Sequence, residues 1–145
     1  MQVSEIMTKN VVTIECDQTV VKACERYKQM GVGCLVVMKG NLIVGILTER
    51  DIIERVILEG RDPYTTSVDA IMTKNIKTIH ASAPVEKAAE MMKKYRIKKL
   101  PVVLNNEIVG IVTVTDLANA LPNVTKNMFR KQEPYKYIQI TSESY

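Results

Sequence analysis

The chain states one pattern twice, and this duplication limits its possible folds more than any other feature. Ile6-Met7-Thr8-Lys9-Asn10 returns as Ile71-Met72-Thr73-Lys74-Asn75, and the run from Asn41 to Thr48 returns as the run from Asn106 to Thr113. Both matches share one offset, with no gap between them. Aligning Val3–Ile52 with Val68–Leu117 gives roughly 22 identities in about 50 positions, the mark of a duplicated structural unit. One such unit alone would bury only a marginal core, so the pattern implies two units sharing a core within 145 residues. Two copies of one unit pack about a pseudo-twofold axis. The groove between them, lined by both, is where function is expected.

Each copy reads as strand, helix, strand, strand, helix, an α/β (α+β) unit. Val11–Ile14 and Ile76–Ile79 are short β-prone runs. Val20, Ala23, Cys24 and Tyr27, matched by Val85, Ala88, Ala89 and Met92, follow the i, i+3, i+4, i+7 spacing of one helical face. A hairpin follows, Cys34–Met38 turning into Leu42–Leu47 and Leu100–Leu104 turning into Ile108–Val112. The closing helix of the first copy starts near Thr48 and stops around Gly60; that of the second ends near Leu121. The first copy with its linker therefore covers residues 1–62 and the second 63–123. Residues 124–145, polar with Phe129, Tyr135, Tyr137, Ile138 and Ile140 interspersed, have no counterpart in the repeat. They read as a loose terminus or a partner-docking tail.

Bulk properties exclude several classes. Hydrophobic content of 46% and charged content of 25% are ordinary for a globular chain, and a net charge of +4 suits small anionic ligands without arguing for nucleic acid. Three cysteines (Cys16, Cys24, Cys34) without CxxC spacing give neither a disulfide framework nor a zinc site, and Cys24 is expected as a small buried hydrophobe. Met30, Met91 and Met92 are expected in the core. His80 is the one histidine and has no neighbouring cysteine or acid pattern, so neither metal binding nor a catalytic triad can be assembled. No enzyme is expected. The N-terminus lacks a basic region followed by an apolar run, and no window holds about 18 apolar residues, so a cytoplasmic location with no membrane partner is expected.

The sharpest motif is Gly45-Ile46-Leu47-Thr48-Glu49-Arg50-Asp51, with its twin Gly110-Ile111-Val112-Thr113-Val114-Thr115-Asp116. Each sits where a strand runs into a helix. Thr-x-x-Asp at that place is a capping box, the hydroxyl satisfying an orphan N–H. The cap does not explain the glycine three residues earlier, whereas close approach of a ligand to the backbone would. A carboxylate beside a helix start also suits a ribose, whose diol it can accept while the helix end attracts phosphate. The threonine can do both.

The doubled unit, the Met-Thr openings (Met7-Thr8, Met72-Thr73), the Leu100-Pro101-Val102-Val103 strand and the G-h-h-T-x-x-D endings together resemble a tandem pair of cystathionine-β-synthase-type (CBS) domains, a Bateman module, over residues 1–121. The resemblance implies two pseudo-twofold-related β-α-β-β-α repeats packed as one module, with two clefts for an adenosyl ligand: AMP, ADP, ATP or S-adenosylmethionine. Each cleft would combine the motif of one repeat with strands of the other. The first would use Gly45, Ile46, Thr48 and Asp51 facing Met72, Thr73, Ile76, Lys77, Lys98 and Lys99. Asp51 would hold the ribose, Thr48 the ribose–phosphate region, and Ile46 with Ile76 the adenine; Arg50 would reach phosphate or form a surface salt bridge. The second would use Gly110, Ile111, Thr113, Thr115 and Asp116 facing Met7, Thr8, Val11, Val12, Gly33 and Cys34.

Lys98 and Lys99 stand where the first copy has Gly33 and Cys34, and one charge-assisted contact contributes about 1.5–3 kcal/mol. The Asp51 cleft is therefore expected to take a phosphorylated adenosine, and the Asp116 cleft a less anionic group or none. Val36 stands where the second copy has Pro101. The resemblance further implies a homodimeric disc of four repeats and a regulatory output to an effector protein in trans. The alternatives are a dimerisation scaffold with idle clefts and, less favoured, a nucleic-acid binder using Lys93-Lys94, Lys98-Lys99 and Arg130-Lys131; with one Phe and no Trp it lacks a stacking platform.

Overall fold

The computed structural model describes residues 1–123. The tail residues singled out above, with Arg130 and Lys131, lie outside them. Each repeat carries a three-stranded sheet. The first comprises β1 (Thr13–Glu15), α1 (Val20–Met30), β2 (Cys34–Lys39), β3 (Leu42–Thr48) and α2 (Glu49–Ile52), and α2 runs on as a π-turn over Ile53–Ile57. The second comprises β4 (Ile79–His80), α3 (Val85–Tyr95), β5 (Lys99–Leu104), β6 (Glu107–Thr113) and α4 (Val114–Ala120). In both sheets a parallel edge strand flanks an antiparallel hairpin, and both hairpins shift register at the same station, after Val37 and after Val102.

Local chemistry explains the boundaries. Thr19 caps α1 by accepting from the Lys22 amide at 3.3 Å, and Gly31 ends the helix at φ 63°. The edge strands lie later than the β-prone runs suggest. The Val12 carbonyl receives the Val36 amide at 3.0 Å, so pairing begins there and Val11 remains outside the ladder. Ile76 and Lys77 are left outside β4 in the same way.

The two cores exchange their entrance segments. The 3-10 turn Val3–Glu5 opens the first repeat, yet Val3 is fully buried in the second repeat's core with Val85, Ala88, Leu100 and Leu117. Its amide donates to the Ala83 carbonyl at 2.8 Å. Reciprocally, the 3-10 turn Val68–Ala70 places Val68 and Ile71 in the first core with Val20, Leu35, Leu47 and Val56, and the Val68 amide donates to Gln18 O at 2.8 Å. Neither repeat closes its own core. At about 25 cal/mol per Å² of apolar surface, a fully buried valine stabilises by about 1.5 kcal/mol or more, so this exchange binds the halves into one unit.

Two expectations about α1 fail. Cys24 is exposed and Met30 is 57% exposed; at the same stations of α3, Ala89 is buried in the second core and Tyr95 is 40% exposed. Met92 is buried and Met91 packs against the second core, as expected. Among the described residues no helix is long and apolar enough to cross a membrane.

Candidate functional site

The repeats cross at the two motifs. Ile46 and Thr73 exchange both backbone hydrogen bonds, at 3.0 and 2.9 Å, and Thr8 and Ile111 do the same at 2.8 and 2.9 Å. Each Gly-h-h-Thr strand is thus extended by the other repeat's Met-Thr segment, bringing Gly45 and Ile46 to Met72 and Thr73, and Gly110 and Ile111 to Met7 and Thr8. This crossing accounts for the glycines. A Cβ on Gly45 would stand 2.6 Å from Met72 Sδ and 2.8 Å from the Thr73 carbonyl oxygen; on Gly110 it would stand 2.5 Å from Met7 Sδ and 2.9 Å from the Thr8 oxygen. It is the sibling backbone, rather than a ligand, that requires a residue without a side chain there.

Both motifs form the capping box. Asp51 Oδ2 accepts from the Thr48 amide at 2.9 Å while the Asp51 amide donates to Thr48 Oγ1 at 3.2 Å, and Thr113 with Asp116 repeats both distances. Beyond the cap the two carboxylates differ. Asp51 is only 7% exposed. Its Oδ1 accepts from the Thr73 hydroxyl at 3.1 Å and lies 4.0 Å from Arg55 Nε. Arg55 Nη1 in turn donates to the carbonyls of Ile71 and Met72 at 3.0 and 2.9 Å, fastening the first repeat's helix to the second repeat's entrance. Asp116 is half-buried, its counterpart of Arg55 is Ala120, and among the described residues its Oδ1 accepts no hydrogen bond.

The hairpin register reverses one expected placement. Cys34 pairs with Thr48 and Lys99 with Thr113, while the Val114 amide donates to Lys98 O at 3.0 Å. An antiparallel hairpin must set the residue that opens one strand beside the residue that ends the next. The backbones of Lys98 and Lys99 therefore flank the Asp116 motif, and Gly33 and Cys34 flank that of Asp51. The Lys99 side chain returns across the seam, its Nζ lying 3.8 Å from a Cβ built on Gly33. Arg50 is engaged with Glu54 at 2.8 Å on the open surface, and Thr115 is exposed. Val11, Val12 and Ile76 are half-buried; Lys77 is exposed, its ammonium over the Tyr95 ring at 4.7 Å. Val36 and Pro101 are both buried, so that difference leaves the two strands alike.

Tyr27 escaped the sequence reading as anything but core. Its hydroxyl donates to the Leu47 carbonyl beneath the first motif, and burial, then the nearby Cys34, Asp51 and Glu49, push its pKa above the ordinary tyrosine range. The signal lay in the repeat itself, where Met92 holds the same place. Although Cys24 is exposed, partial desolvation against the helix pushes its thiol up. His80 bonds Ser82, and among the described residues no cluster of His, Cys, Asp or Glu suits a metal.

Comparison with known proteins now decides the family. A profile of the CBS domain matches residues 3–58 and again 68–123. The chain belongs to the CBS-domain family. This CBS pair is 35% identical over 116 residues to the CBS domain-containing protein YhcV of Bacillus subtilis, covering 80% of this chain and 82% of that one. Among solved structures it resembles the conserved CBS domain protein TA0289 of Thermoplasma acidophilum, described as of unknown function (TM-score 0.78, 29% identity, 92% of this chain and 77% of that one). It also resembles a hexameric CBS-CP12 protein from bloom-forming cyanobacteria (TM-score 0.75, 34% identity, 83% and 72%).

Proposed function

We propose that this CBS pair is a regulatory, non-catalytic module that binds an adenosine nucleotide (AMP, ADP or ATP) or S-adenosylmethionine, and that the Asp116 cleft is the one that fills first. The observation that carries the reading is the pair of crossed capping boxes, of which only Asp116 keeps a carboxylate oxygen without a hydrogen bond among the described residues. A ribose diol donates to such an oxygen, Ile111 and Val11 offer apolar walls for an adenine, and Lys98, whose carbonyl accepts from the Val114 amide, brings positive charge to this motif. At Asp51 a diol must share Oδ1 with the Thr73 hydroxyl on a carboxylate only 7% exposed, so that cleft fills second or not at all. A phosphorylated adenosine is thus assigned to the Asp116 cleft, not to that of Asp51 as the alignment of the repeats suggests.

A ligand shifts a module of this kind only by its difference in affinity between two states, and the output passes to a protein partner in trans. Copies associate into a homodimeric disc through the uncovered α2 face, where Ile53, Ile57 and Leu58 are exposed; the hexameric state of the related cyanobacterial protein supports self-association. Free thiols at Cys16, Cys24 and Cys34 fit a cytoplasmic setting.

Thermal denaturation with AMP, ADP, ATP and S-adenosylmethionine tests the proposal. At about a hundred times Kd the right ligand stabilises by about 2.7 kcal/mol, and Asp116→Asn, which keeps the cap acceptor, removes that gain. A protein that responds to none of the four yet runs as a stable dimer in sizing chromatography is a scaffold instead.

A further inference from the structure

The duplication supplies an internal control for surface charge. Residues 1–62 carry eight cations and nine carboxylates, residues 63–123 eight cations and five carboxylates. Among the described residues every cation–carboxylate pair lies in the first repeat: Lys22–Glu25, Arg50–Glu54, Arg55–Asp51 and Arg61–Glu59. The second repeat's cations have no carboxylate partner among the described residues, and five of them gather in one place. Lys77 and Lys94 both stand over Tyr95, at 4.7 and 5.2 Å from the ring centroid, which joins the segment of Lys74 and Lys77 to the last turn of α3 with Lys93 and Lys94. Arg96 completes the group from a left-handed backbone conformation, φ 54°, that disfavours any residue with a side chain.

The fold does not ask for Lys77, Lys94 or Arg96, whereas Lys74 and Lys93 recur in the first repeat as Lys9 and Lys28. At the same stations the first repeat builds the same edge-strand approach and helix end with Val12, Gln29, Met30 and Gly31 in place of Lys77, Lys94, Tyr95 and Arg96. Gly31 takes the same left-handed cap, φ 63°, without strain.

We infer that the basic surface around Tyr95, formed by Lys74, Lys77, Lys93, Lys94 and Arg96, is a docking site for an acidic segment of a partner protein. Charge excludes the nearer candidates. The chain's own residues 124–145 carry four cations against two carboxylates. A second copy brings the same excess of cations, eight against five carboxylates in residues 63–123, and its Glu25, Asp51, Glu54 and Glu59 are already paired with their own cations, so it is the poorer match for a basic surface. Single-stranded nucleic acid wants an open aromatic face for its bases, and the Tyr95 ring is engaged by two ammonium groups. Exposed lysines on flexible stems, by contrast, match the scattered carboxylates of an acidic peptide.

The test uses the full chain and a fluorescein-labelled oligoglutamate peptide, followed by anisotropy across a salt series. The variant Lys94→Gln, Tyr95→Met, Arg96→Gly writes the first repeat's residues into the second. Wild type should bind with an affinity that falls as salt rises, and the variant should bind about tenfold more weakly. The variant's melting temperature should hold or rise, because glycine relieves the left-handed cap, and any nucleotide-induced shift should persist. Arg96→Gly alone should weaken binding while raising the melting temperature. Equal binding by wild type and the triple variant overturns the inference, as does the absence of salt-sensitive binding. Tighter binding of an oligothymidylate of equal charge overturns it in favour of a nucleic-acid surface.

Discussion

The two motif crossings share a backbone and differ in what surrounds their carboxylates. At the first, Asp51 is held by Thr48, Thr73 and the nearby Arg55, and Arg55 also grips Ile71 and Met72. At the second, Asp116 has its cap and nothing more among the described residues. One architecture thus serves as a clasp at one end and an open acceptor at the other. Duplication makes this division possible, because a second copy that preserves the crossing leaves the first copy's carboxylate available for fastening.

The crossings should be equally intolerant of bulk. Gly45→Ala and Gly110→Ala each press a Cβ onto a carbonyl pinned by paired hydrogen bonds, and each should cost about 3 kcal/mol in urea denaturation. A large inequality would break the symmetry of the crossing. The exchanged turns come next: Val3→Ala and Val68→Ala should each cost about 2 kcal/mol, and each should loosen the repeat in which the valine is buried rather than the one that carries it in sequence. Amide exchange resolved by segment reads that difference.

The clasp itself is worth less. Arg55→Ala strands two carbonyl oxygens and leaves Asp51 without its nearby cation, at a cost of about 1–2 kcal/mol, whereas Ala120 already shows the second repeat doing without. Tyr27→Phe should cost about 1 kcal/mol near neutrality for the lost bond to Leu47. Because the folded state raises the Tyr27 pKa, its contribution is whole below the unfolded value of about 10 and is lost as pH climbs beyond it. The gap between wild type and Tyr27→Phe should therefore close in melting curves above about pH 10.

Much of this was legible in the chain. The offset between the copies delivered the repeat, and 3.6-residue spacing delivered α1 and α3, because these features are local. The exchange of entrance turns was not, since Val3 and Val68 are single apolar residues in polar surroundings and only tertiary contact reveals which core receives them. The glycines were noticed for close approach, but sequence cannot tell a ligand from a sibling backbone. The alignment of the repeats sets Lys98 and Lys99 opposite Asp51, whereas the hairpin register sets their backbones beside Thr113, a tertiary pairing that the alignment does not carry. Cys24 and Met30 sit on a helix whose period promises burial, and nothing in that period says that both stay exposed.

The most direct measurement is calorimetric titration of the responding adenosyl ligand into wild type, Asp51→Asn and Asp116→Asn. The account predicts that Asp116→Asn weakens the first binding event by at least about tenfold while Asp51→Asn leaves it intact. Loss of that event in Asp51→Asn, with Asp116→Asn binding like wild type, would contradict it.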